Sequence, residues 1–138
     1  MSGSLSRGLP HVGLGEAFSA EEAHKSRLIV EARLLRQRQE PETAAARFAE
    51  AAAIEEQLGA ACAEQQLREK SFVHCFSAAS CWAQAGNFYE AIALCDQLLA
   101  ERDLPVSLRT RISQYADILR RRRAEWYAEL GQQLAESP

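Results

Sequence analysis

A chain of 138 residues with formal charge −3, 47% hydrophobic and 25% charged fits one domain that can bury an adequate core without metal or disulfide. The negative balance disfavours a whole-surface attraction to nucleic acid or anionic membrane, so any such binding has to be local. Few Gly and Pro among many Ala, Leu, Glu, Gln and Arg favour helix over sheet, no apolar run reaches bilayer-spanning length, and the opening Met1-Ser2-Gly3-Ser4-Leu5-Ser6-Arg7 lacks the apolar heart of a secretory signal. A cytoplasmic protein is expected.

Residues 1–17 gather glycine with Ser, Pro and His and carry no periodicity, which predicts a flexible arm or an appended segment before a folded unit over 18–138. Ser19-Ala20-Glu21-Glu22 has the pattern of a capping box, so a first helix is expected from about Ala20 to Gln39. Leu28, Ala32 and Leu35 lie on one of its faces, and Arg27, Arg33, Arg36 and Arg38 take much of the remainder.

Glu40-Pro41 interrupts that pattern, because proline suits the first turn of a new helix rather than the body of an old one. A second helix follows with the stripe Ala44, Phe48, Ala51, Ile54, Leu58, and Gly59 is read as its stop or kink. A third, from about Ala60 to Ala85, places Phe72, Cys75, Ala79 and Trp82 on one face, with Phe76 and Ala83 widening it.

Gly86-Asn87 ends the third helix and caps a fourth, from Phe88 to about Glu101, whose packing side is Ala91, Ile92, Cys95 and Leu98. After the break at Asp103-Leu104-Pro105, a last helix from about Val106 to Ala135 aligns Ile112, Tyr115, Ala116, Leu119, Trp126, Leu130 and Leu134. The expected fold class is therefore all-α, about five helices in stacked antiparallel hairpins, closed by a long C-terminal helix.

The stretch from Cys75 to Leu98 resembles a tetratricopeptide repeat: Ala79 and Ala91 stand at the small crossing positions, Trp82 at the large aromatic, Gly86 at the turn and Phe88 after it. A weaker copy pairs Ala32 and Leu35 with Ala44, Phe48 and Ala51, with Gln39 and Pro41 in place of the glycine and aromatic. The copies are about 47 residues apart instead of about 34, so about 13 extra residues are assigned to the third helix or the connection before it.

The resemblance implies a non-catalytic interaction module, an adaptor or scaffold holding a protein segment in a helical groove. Projecting the family pattern puts Arg33, Arg36, Gln37, Phe76, Ser80 and Gln84 on that groove, where they suit an acidic or C-terminal peptide. The family's clamp for a terminal carboxylate needs Lys and Asn where this chain has Ile29 with Arg33 and Phe76 with Ser80, so chaperone-tail binding is not expected.

Chemistry finds little footing. His74, Cys75 and Cys81 are too poorly aligned on one helix to share a zinc ion, and Glu21 with His24 has the spacing of a di-iron motif without the companion histidine. Neither a cysteine or serine triad nor a phosphate-cradling glycine loop is evident, so no enzyme, cofactor or metal is expected. Cys62, Cys75, Cys81 and Cys95 read as buried free thiols.

The run Arg120-Arg121-Arg122-Arg123, extended along the same helix by Arg109 and Arg111, is the most conspicuous polar feature. Four consecutive helical residues spread over about 300°, so the run implies a projecting helix end or a surface covered by arginine stems. A solvated face, an acidic protein partner and a regulatory nucleic-acid contact, with nucleic acid disfavoured by charge, are the three readings. Self-association through an uncapped hairpin face, or through the last helix with Trp126 and Tyr127, is the alternative to peptide binding.

Overall fold

The computed structural model describes residues 14–136, and the expected arm therefore lies mostly outside the described residues. Five helices make up the fold: α1 Gly15–Gln37, α2 Pro41–Glu64, α3 Arg68–Gln84, α4 Phe88–Leu99 and α5 Val106–Glu136. Each packs on the next in the chain, giving an all-α array. Neighbours run antiparallel, as the bonded pairs show: Lys25 meets Glu55 while Glu31, further along α1, meets Arg47, further back on α2.

The first three connections use one device. Gln39, Gln66 and Gly86 adopt left-handed backbone, with φ of 59°, 61° and 86°. The next residue's N–H reaches back five positions, Glu40 to Leu35 O, Leu67 to Cys62 O and Asn87 to Trp82 O, at 2.9, 2.8 and 2.8 Å. The left-handed residue itself donates three positions back, to Arg36, Ala63 and Ala83 O, at 3.0 Å in each case. This is the Schellman arrangement, which satisfies helix-end carbonyls while reversing the chain.

Because the turns share geometry, residues at fixed distances from them meet at equivalent crossings. Seven residues before and five after the left-handed position stand Ala32 and Ala44, Gly59 and Ser71, and Ala79 and Ala91. All six are buried, so small side chains occur where two helix backbones come closest.

Gly59 therefore corrects the expected boundary. It is interior to α2, which continues to Glu64. A Cβ there would stand 2.9 Å from Cys75 Sγ and 3.4 Å from the Ser71 carbonyl oxygen, and Ser71 Oγ donates to Gly59 O at 2.8 Å. The third helix consequently starts at Arg68 rather than Ala60, and the added length lies in α2.

The first helix also differs from expectation. It begins at Gly15, placing Ser19 inside the helix without a capping role. Phe18 explains the extension, since it is buried with its ring edge-on to His74 at a centroid distance of 5.7 Å, and burial of an aromatic outweighs a local cap. The expected cap on α4 does form, Asn87 Oδ1 accepting from Glu90 N at 3.1 Å.

Two main cores follow. Leu28, Ala51, Ala52, Ile54, Leu58, Cys62 and Cys81 join α1, α2 and α3. Phe72, Ala78, Ala79, Leu94, Cys95, Leu98, Ile112 and Ala116 join α3, α4 and α5. α3 belongs to both, which matches the broad apolar face read in its sequence. At the α4 end, Arg109 of α5 donates to Leu99 O and Glu101 O at 2.7 and 2.6 Å, giving those carbonyls a cationic partner.

Candidate functional site

The groove residues expected from sequence fall into two linked groups on either side of α3. On α3 itself Phe76, Ser80 and Gln84 recur every four residues and so share one face. Towards α1, Arg36 donates to Gln84 Oε1 and to Gln84 O, both at 3.2 Å, while its guanidinium carbon lies 4.7 Å from the Phe48 ring centroid. Arg36 thus ties α1 to the last turn of α3 and stacks on α2.

Arg33, one turn earlier, is exposed, and among the described residues it has no carboxylate partner within ion-pair distance. Burial raises the Cys81 thiol of α3, and Arg33 is the weakest of the influences opposing that rise. Gln37 is exposed at the end of α1.

Towards α5, the Phe76 ring stands edge-on to Tyr115 at 5.6 Å, and the Arg111 guanidinium lies over Phe76 at 5.8 Å. Burial raises the Tyr115 phenol, and the nearby Ser80 side chain acts against that rise. Arg122, two turns on, also acts against it. Val73, Leu108 and Arg111 continue this side into a shallow depression shared with Glu69, Pro105 and Ser107.

Read along its length, the α3 face carries Arg33 and Arg36 on one bank and Arg111 and Arg122 on the other. Arg111 lies over Phe76, Arg122 stands two turns beyond Tyr115 on the same side of α5, and neither arginine has a carboxylate partner within ion-pair distance among the described residues. In the sequence Arg111 stands only as an extension of the arginine run and Tyr115 only as a packing residue. Their spacing of four on α5 was the signal that they share a side.

The arginine run itself divides. Arg120 pairs with Asp96 of α4 and Asp117 of its own helix, Arg122 faces the Tyr115 side, Arg121 is exposed and Arg123 is half-buried. The four do not form one patch. Among the described residues every one from Arg121 onward except Arg123 is exposed, so the run marks where α5 leaves the body of the fold.

A second cluster went unread in the sequence. Glu55, only 2% exposed, is ion-paired through Oε2 with Lys25 Nζ at 3.3 Å, and its Oε1 lies 2.7 Å from His74 Nδ1. His74 Nε2 stands 3.9 Å from Glu22 Oε2. One carboxylate therefore links α1, α2 and α3 beneath Phe18. Its position was legible in principle: residues 48, 51, 55, 58 and 62 form one helical stripe, and a glutamate on an otherwise apolar stripe requires a buried partner.

Nearby, Trp82 Nε1 donates to Glu56 Oε2 at 2.6 Å, so this aromatic side chain of α3 is anchored back to α2. Burial raises the thiols of Cys81 and Cys95 to about 11, which leaves them protonated at neutral pH and weakly nucleophilic. Cys62 and Cys75 shift in the same direction for the same reason. All four are free.

Among the described residues no group of three or more His, Cys, Asp or Glu side chains could hold a metal ion, and no helix is long and apolar enough to cross a membrane. Comparison of the chain with protein-family models, curated proteins and solved structures returns no match.

Proposed function

We propose that this protein is a non-catalytic interaction module, a degenerate tetratricopeptide-like array that holds an acidic segment of another protein along the face of α3 between α1 and α5. The observation that supports this most is the pairing of half-buried aromatic rings with cations that have no carboxylate within ion-pair distance among the described residues: Arg33 on the α1 bank, Arg111 over Phe76 on the α5 bank. A planar guanidinium offers paired donors to a carboxylate, and the Phe76 and Tyr115 rings give an apolar floor beside it. Gln37, Ser80 and Gln84 add neutral hydrogen-bonding groups along the same face, and Arg36 shapes the α1 bank through its bonds to Gln84.

Binding is best measured by fluorescence anisotropy with a panel of labelled peptides that differ in Asp and Glu content. Acidic peptides are expected to bind, with affinity falling as salt screens the exposed charges. Arg33→Glu combined with Arg111→Glu is expected to weaken binding at least about tenfold, or about 1.4 kcal/mol, while helix content stays unchanged because both residues lie outside the core clusters. Affinity that is indifferent to peptide charge, or that survives the double substitution, would count against the reading.

A further inference from the structure

The packing stripe of α5 does not stop where its packing stops. Ile112, Ala116, Leu119, Arg123, Trp126 and Leu130 alternate at intervals of four and three, the spacing of a coiled-coil seam. Ile112, Ala116 and Leu119 are fully buried against the body. α4, with 12 residues against 31 in α5, is too short to follow. Beyond Leu119 the seam continues in register with Trp126 50% exposed, flanked by Tyr127 at 59% and Leu134 at 74%. Among the described residues no other element covers it.

Charge along this projection is polarised. Arg120 to Arg123 stand at its root, whereas Glu125, Glu129 and Glu136 follow towards its end. A parallel pairing of two such helices would lay Arg123 on Arg123 and force both folded bodies to the same end. An antiparallel pairing puts the arginine root of one helix against the glutamate end of the other and sends the bodies apart.

We propose that residues 121–136 of α5 pair antiparallel with the same segment of a second copy of this chain, joining two arrays tail to tail. The register that matches the seam sets Trp126 of each copy against Leu130 of the other, with Tyr127 beside its own counterpart. It brings Arg122 near Glu136 of the second copy and places the two Glu129 side chains close together. The apolar layers are few, so the dimer is a reversible one whose population depends on concentration. The pairing uses none of the groove residues other than Arg122 and stands independently of peptide binding.

Sedimentation velocity across about 1 to 300 μM tests this, with a mass rising from 15.3 kDa towards twice that value expected for the full chain. Trp126→Glu with Leu130→Glu is expected to abolish the rise while leaving helix content and melting temperature near those of the parent, since neither residue belongs to the core. Orientation is tested separately by charge exchange. Arg122→Glu weakens the dimer, and adding Glu136→Arg restores it only in the antiparallel register, because the two positions are about 21 Å apart within one helix. Glu129→Gln tightens it by removing a like-charge contact. A chain that stays monomeric throughout, or a dimer that ignores the Trp126 and Leu130 changes, overturns the proposal. A failure of Glu136→Arg to rescue overturns the antiparallel arrangement.

Discussion

Gly59 illustrates how one absent side chain positions a pair of helices. Taken alone, glycine in the interior of a long helix is unfavourable by about 1 kcal/mol relative to alanine, so Gly59→Ala would be expected to stabilise. The structure reverses the sign. A Cβ would meet Cys75 Sγ at 2.9 Å and Ser71 O at 3.4 Å, and overpacking of this kind costs about 1–3 kcal/mol. Gly59→Ala is therefore expected to lower stability by about 1 kcal/mol in thermal or urea unfolding, net of the propensity gain. Cys75→Ala, which removes the nearest atom, should recover part of that loss in the double variant. The same position also misled the boundary reading, for the physical reason that a glycine which ends a helix and one which lets another helix approach look identical in a single chain. Glu55 is the complementary case, a charge on an apolar stripe whose partners on α1 and α3 lie 30 and 19 residues away and are joined to it only by the fold.

At the scale of elements, what could be read was whatever local chemistry decides. The start of α2 at Pro41, the cap at Asn87 and the break before Val106 all follow from residues that act on their own backbone. The turns at Gln39 and Gln66 were harder, since glutamine gives no sign that its backbone will be left-handed. Only the third turn carries the glycine that advertises it. The hydrogen bonds show that the three are equivalent, and this yields a prediction. Left-handed backbone costs a residue with a Cβ about 1–2 kcal/mol, which glycine avoids at some expense in unfolded-chain entropy. Gln66→Gly should therefore raise stability by about 0.5–1 kcal/mol and Gly86→Ala should lower it by about 1 kcal/mol, both measured by chemical denaturation with an unchanged slope. Opposite signs for these two substitutions at superficially different sequences would show that one turn geometry builds the array. The candidate face was partly legible for a related reason: four-residue spacing places Phe76, Ser80 and Gln84 together, whereas the partnership of Arg111 and Tyr115 with Phe76 depends on how α5 docks.

For the whole molecule, the consequence of the architecture is that contacts run from each helix to the next, so stability should be graded along the chain rather than uniform. α2 and α3 pack most extensively and share the Glu55 cluster, α1 and α4 pack less, and the described residues of the outer half of α5 are exposed except Arg123. Amide hydrogen exchange followed by mass spectrometry should accordingly find the slowest exchange in α2 and α3, intermediate exchange in α1 and α4, and fast exchange from Arg121 onward at low protein concentration. Slow exchange in that outer half under dilute conditions would mean that it is held by something within the monomer and would contradict the graded array. If the tail pairs with a second copy, its protection must rise with concentration while that of α2 and α3 stays fixed, because association adds stability only to the state that forms the contact. Protection that grows equally everywhere would instead mean that the copies meet through the body of the array. A single concentration series thus separates the stability of the scaffold from the contact made by its projecting helix.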